Sequence, residues 1–201
     1  MLRSKTIVPF LLLTALNLLA AGKEEKDQTP AYDLTVSIEP VSGNIAVRGS
    51  VEVPLAEPAA KTFRFSLHET FAISKLLVDG KQAAFTYAPP DAQIPLPASR
   101  SVVVTLPPGM DQSRIRMDIA YGGRLKALPE FGASPDMRHS LDDQVNARMI
   151  ELTGFASWYP QFAFGRPLRL ELALSLPPHW IPICSGRRLE DRVNGGRTFT
   201  R

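Results

Sequence analysis

Three histidines stand in this 201-residue chain, His68, His139 and His179. No two are four apart, the spacing that puts two imidazoles on one face of a metal-binding helix. His68-Glu69 opens like the metal-binding motif His-Glu-x-x-His, but Ala72 fills the final position. A scattered trio gathering one zinc ion is the chemical reading of these residues, and solvated or hydrogen-bonded histidines are the ordinary one. Cys184 is the only cysteine, so no internal disulfide and no thiolate zinc site can form. It is expected to be a small buried apolar side chain in a strand.

Nucleophile and phosphate signatures are equally incomplete. Gly-x-Ser-x-Gly does not occur, and the single Gly-Ser pair, Gly49-Ser50, falls within a strand pattern. Asp142-Asp143 could act as paired carboxylates, yet two adjacent acids in a long loop are more simply a solvated surface. Gly195-Gly196 lacks the Lys-Ser/Thr pair of a phosphate loop. Catalytic and metal-ligating residues are therefore expected to be none, and the chain is expected to be inactive alone.

The elements that would position any site read as strands. Tyr32, Leu34, Val36 and Ile38 alternate with Asp33, Thr35, Ser37 and Glu39, which sets one face on a core and one in water. After a turn at Pro40 to Asn44, Ile45, Val47, Val51 and Val53 repeat the pattern, so the two runs form a hairpin. Gly49 lies in phase with the apolar set, where a neighbouring backbone can approach closely. Phe63 to Leu67 and Ile73 to Val78 follow, with Asp79-Gly80 as a hairpin signal before a short strand around Phe85 and Tyr87. Beyond a proline-rich loop come Ser101 to Leu106 and the alternating run around Ile115 to Tyr121, ended by Gly122-Gly123. Leu168, Leu170, Leu172, Leu174 and Leu176 keep a period of two, which selects strand over helix despite the leucines. Leu125 to Arg148 breaks the rhythm, and a loop of that length is often functional or packs on another body.

Eighteen prolines and 13 glycines agree with frequent turns. The expected fold class is all-β, an antiparallel two-sheet sandwich or saddle-shaped β-domain with little helix. Arg3 and Lys5 precede the apolar run Ile7 to Leu19, and Ala20-Ala21-Gly22 supplies small residues for cleavage. Residues 1–22 are thus expected to be a cleaved signal peptide, and the protein to be exported to the periplasm or the extracellular space. Pro9 and Asn17 interrupt the run, which falls short of the roughly 20 apolar residues of a stable membrane span. Residues 23–31 read as a flexible lead-in and 32–201 as one domain. Removing the leader changes 23 basic against 20 acidic residues to 21 against 20. With no basic stripe interleaved with aromatics, nucleic acid is not an expected partner.

Several segments, taken in order, resemble one family. Tyr32-Asp33-Leu34, Gly49-Ser50-Val51, Phe63 to Leu67, Leu76-Leu77-Val78-Asp79-Gly80 and Met117-Asp118-Ile119-Ala120-Tyr121-Gly122-Gly123 follow the order found in the N-terminal β-domain of aminopeptidase N-like zinc metallopeptidases. Ala156-Ser157-Trp158-Tyr159-Pro160 resembles that family's Ala-Arg-Arg-x-Phe-Pro, and Ile183-Cys184-Ser185-Gly186 its strand ending in Ser-Asn-Gly. The resemblance implies a substrate-facing glutamate nine positions before the proline, and Glu151 stands there. Its implied role is to hold the ammonium of a peptide N-terminus by a charge-assisted hydrogen bond. The alternative is a surface acid at the start of a strand.

The resemblance also implies that zinc and its ligands belong to a following catalytic domain, absent from this chain, which itself carries no cofactor. The expected partners are that domain and a peptide substrate, with Trp158 and Tyr159 either walling the contact or filling the core between sheets. The rival reading is a free-standing envelope β-sandwich that binds a protein or peptide. A third is a prematurely ended gene product without an independent role.

Overall fold

The computed structural model describes residues 29–55, 57, 60–91, 98–110, 112–125, 144–145, 150–152, 154, 157–163 and 167–201. The leader, most of the lead-in, His139 and Asp142-Asp143 lie outside them. Thirteen strands run in the order β1 (Ala31–Glu39), β2 (Asn44–Pro54), β3 (Thr62–His68), β4 (Ala72–Val78), β5 (Lys81–Gln82), β6 (Ala84–Ala88) and β7 (Ser99–Thr105), followed by β8 (Arg114–Arg124), β9 (Gln144–Val145), β10 (Ile150–Glu151), β11 (Arg169–Leu176), β12 (Asp191–Asn194) and β13 (Arg197–Thr200). No α-helix occurs among the described residues, and none there is long and apolar enough to cross a membrane.

An eight-stranded sheet has the order β12-β13-β11-β1-β2-β8-β4-β5, and a three-stranded sheet the order β3-β7-β6. β9 and β10 form a small separate pair. The all-β, two-sheet expectation holds, with one parallel pairing in the middle of the large sheet, Tyr32 beside Leu170 through Val36 beside Leu174. Alternation along β1, β2 and β8 turns Leu34, Val36, Val51, Met117 and Ile119 inward, while Phe65, Leu67, Val102 and Val104 face them from the small sheet. Each such side chain, fully buried, contributes about 1.5–3 kcal/mol. That layer of aliphatic and aromatic groups is what holds the two sheets together.

Close backbone contact dictates glycine at positions such as Gly49 and Gly123. A Cβ on Gly49, whose φ is 157°, would stand 2.0 Å from the Asp33 carbonyl oxygen, so β1 and β2 can lie this close only with glycine there. On Gly123 it would meet the Thr70 carbonyl oxygen at 2.5 Å. Gly122-Gly123 does not end β8, as the sequence had indicated; the strand continues to Arg124 because the glycines let β2 and the β3–β4 turn press against it.

Asp79-Gly80 makes the expected hairpin, both residues at positive φ (47° and 77°), as a tight turn between twisted strands requires. The returning strand is only β5, however. Ala83 is buried and the chain then crosses into the small sheet, so Phe85 and Tyr87 pair with Val104 and Val102 rather than with β4. Asp79 also accepts hydrogen bonds from the Arg116 amide and from Gln112, fixing the turn on the end of β8.

Candidate functional site

The segment 157–163 runs between the two sheets and is tied to both. From the large sheet, the Tyr121 hydroxyl donates to the Trp158 carbonyl at 2.9 Å and the Tyr32 hydroxyl to the Pro160 carbonyl at 2.8 Å. From the small sheet, Ser66 and Gln161 exchange backbone hydrogen bonds of 2.8 and 3.0 Å, and the His68 amide donates to the Ser157 carbonyl at 2.9 Å. Ser157 holds a positive φ of 52°, which bends the chain away from β3 between these bonds. Gln161 in turn donates its side-chain amide to the Gly154 carbonyl, reaching back toward β10.

An aromatic cluster surrounds this segment. Tyr159 meets Trp158 and Tyr32 edge-on at 4.9 and 5.6 Å, and Phe162 packs on Phe63 and Phe65. Burial pushes the phenols of Tyr32, Tyr121 and Tyr159 above their ordinary range, because a phenolate loses its hydration there. These hydroxyls stay neutral donors, which the two carbonyls need. Trp158 is 6% exposed, so of its two expected roles it fills the core, while Tyr159 is half-buried.

Glu151 sits in β10, its backbone paired with Gln144 of β9, a few residues before the tied segment. Its neighbours Ile150 and Leu152 help line an open groove of about 1180 Å³. Leu172 and Leu174 of β11 form another wall of that groove, and Trp180 belongs to the irregular arm that borders it. Farther along this arm Ile181 and Ile183 are 79% and 93% exposed. Ile183 to Gly186 is thus not a strand, and Cys184 is a free, exposed thiol rather than a buried strand residue: among the described residues no strand pairs with the stretch.

His68 is buried at the end of β3, its Nδ1 2.8 Å from the Thr70 hydroxyl and its ring against Phe71. It is hydrogen-bonded, the ordinary reading of the two. His179 is exposed at a positive φ beyond β11. Among the described residues no three histidine, cysteine, aspartate or glutamate side chains come together, so those residues do not fit a zinc ion. The hydroxyls of Ser66, Ser101 and Ser157 are buried and have no partner among the described residues, which leaves them unable to meet a substrate. The arrangement can bind and position; it holds no set of groups for bond cleavage among the described residues.

Tyr32, Tyr121 and Gln161 as anchors of this segment were missed in the sequence. The available signal was a tyrosine in phase with a buried face, since a buried phenol must find an acceptor.

No protein-family model and no curated protein matches the chain. Solved structures do match. An M1 zinc metallopeptidase from Deinococcus radiodurans superposes with a TM-score of 0.61 at 18% identity, covering 85% of this chain and 37% of its own. The fold is one found in M1 zinc metallopeptidases. A two-domain M1 zinc metallopeptidase mutant bound to L-arginine gives the same TM-score of 0.61 at 17% identity and the same coverage of 85% and 37%. Leukotriene A4 hydrolase from Saccharomyces cerevisiae is more distant, with a TM-score of 0.50 at 14% identity over 86% of this chain and 26% of its own. The chain spans a little over a third (37%) of the M1 zinc metallopeptidase chains it matches.

Proposed function

We propose that this chain is the non-catalytic N-terminal β-domain of an exported zinc metalloaminopeptidase-like protein. In it, the domain packs on a zinc catalytic domain and closes one side of a peptide-binding cleft. The observation that carries the reading is the fold match, which takes in 85% of this chain yet only 37% of the peptidase. One neighbour of this kind is an M1 zinc metallopeptidase mutant from Deinococcus radiodurans bound to a Tyr-Ser-Ala substrate. The corresponding substrate class here is a peptide with a free N-terminus.

Within this reading Glu151 supplies the carboxylate that accepts hydrogen bonds from the substrate's terminal ammonium. Anchoring of residues 157–161 to both sheets supports it, because a recognition group needs a rigid base to keep its geometry. The exposed arm at Ile181 and Ile183 is the surface offered to the catalytic domain, since exposed contiguous apolar groups mark interaction sites. Water activation by zinc would take place in the catalytic domain. Export rests on the leader pattern of residues 1–22.

The test is an assay on amino-acyl reporter substrates. The purified chain should give no turnover. Joined to its catalytic domain, it should give turnover in which Glu151→Ala raises KM for free N-terminal peptides and leaves N-acetylated peptides unaffected. Equal effects on both substrates would remove the assigned role.

A further inference from the structure

The two larger sheets have four edges, and three are guarded. β12 carries Asp191 and Arg192, β5 begins with Lys81, and β3 is bridged by Gln161 at Ser66. β6 differs: Ala84-Phe85-Thr86-Tyr87-Ala88 contains no charge and no proline, and Ala84, Thr86 and Tyr87 are exposed. Among the described residues no strand pairs with the outer edge of β6, and an uncharged edge of this kind is a template for another strand, which proteins ordinarily blunt with charge, proline or cover.

The sequence of β6 is complementary to itself. Antiparallel pairing about a two-fold axis at Thr86 sets Thr86 against the partner's Thr86, Phe85 against the partner's Tyr87, and Ala84 against the partner's Ala88. Aromatic pairs and threonine pairs directly opposite are among those that stabilise a sheet, and no like charges meet. Other registers fare worse. An axis at Tyr87 sets Phe85 opposite Pro89, which has no N–H, and an axis at Phe85 draws in Ala83, which is 3% exposed. Tyr87 is also held in place beforehand: the Arg100 guanidinium lies 3.4 Å over its ring and its hydroxyl accepts the Ile73 amide at 3.1 Å, so little side-chain freedom remains to be lost on pairing.

We propose that the chain forms a two-fold dimer by antiparallel pairing of β6 with β6 of a second copy, merging the two three-stranded sheets into one continuous sheet. The contact is isologous, so it closes at two subunits and does not propagate.

Light scattering coupled to size exclusion over a concentration series of the chain tests this. The expected mass rises with concentration toward twice the monomer. Thr86→Lys places two ammonium groups opposite each other on the axis and should return the mass to that of the monomer at every concentration, with an unchanged circular dichroism spectrum. Thr86→Cys in a Cys184→Ser background should give a disulfide-linked dimer on oxidation. A chain that stays monomeric throughout, a dimer that Thr86→Lys leaves intact, or failure of the Thr86→Cys chain to cross-link would each overturn the proposal. Thr86→Lys that fails to fold leaves the cross-link to decide.

Discussion

The Tyr121 hydroxyl, on a strand of the large sheet, donates a 2.9 Å hydrogen bond to the carbonyl of Trp158, 37 residues farther along. Tyr32 makes the equivalent bond to Pro160 from a neighbouring part of the same sheet. Residues 158–160 are therefore fixed from the core outward.

Replacing Tyr121 by phenylalanine keeps the ring and leaves a buried carbonyl without its donor. The expected cost is about 1–3 kcal/mol, the desolvation penalty of an unmet polar group. Chemical denaturation of Tyr121→Phe against the parent chain checks it, and an unchanged midpoint would mean that water replaces the hydroxyl.

Alkali should act through the same two tyrosines. Their folded-state values are raised by burial, so the folded chain keeps protons that the unfolded chain gives up above about pH 10. Stability is then fully present below that pH and lost as pH climbs toward the folded-state values, by up to about 1.4 kcal/mol per pH unit for each tyrosine. Melting temperature followed from pH 8 to 11, with tyrosinate absorbance recorded alongside, should show the new phenolates appearing together with unfolding. Gradual ionisation of every tyrosine in a chain that stays folded would contradict the buried donors.

The strands were legible in the sequence because a period of two is printed in residue type: Tyr32 to Ile38 and Leu170 to Leu176 need no further information. Gly49 was legible for the same reason, a glycine standing where an apolar side chain was due. Partner choice was not. Alternation says which face of β1 is buried, but nothing in it says that β11 lies alongside in parallel, 138 residues away at Ala31 and Arg169. The crossing at Ala83 was hidden because Asp79-Gly80 signals a turn without saying how long the returning strand will be. Of the candidate site, Glu151 came only from family likeness, and the tyrosine anchors depend on contacts across long stretches of chain.

Gly49→Ala should be among the most damaging single substitutions, at about 3 kcal/mol or more, since a methyl group 2.0 Å from a carbonyl oxygen forces β1 and β2 apart. A thermal melt decides this. A loss below 1 kcal/mol would mean that the hairpin yields easily.

Arg197 on β13 reaches across β11 to β1, donating to the Ser175 carbonyl and hydroxyl at 2.9 and 2.8 Å and to the Ser37 hydroxyl and Ile38 carbonyl at 3.2 Å, with Glu39 as its ion-pair partner. Arg197→Ala should loosen the β12–β13 hairpin while the rest of the sheet stays intact. Hydrogen exchange should speed up at residues 191–200 and not in β2 or β8; uniform acceleration would show global destabilisation instead.

The exposed arm gives a solubility prediction. Ile181→Ser with Ile183→Ser removes side chains that are 79% and 93% exposed, so folding stability should change by no more than about 0.5 kcal/mol. Binding of a hydrophobic dye should fall. If dye binding is unaltered, the apolar surface lies elsewhere.

The central claim, a β-domain belonging with a zinc catalytic domain, is tested most directly by sequencing the DNA that follows the Arg201 codon. The account predicts coding sequence for His-Glu-x-x-His followed by a further glutamate ligand. An unrelated gene directly downstream would contradict it and favour a free-standing binding module.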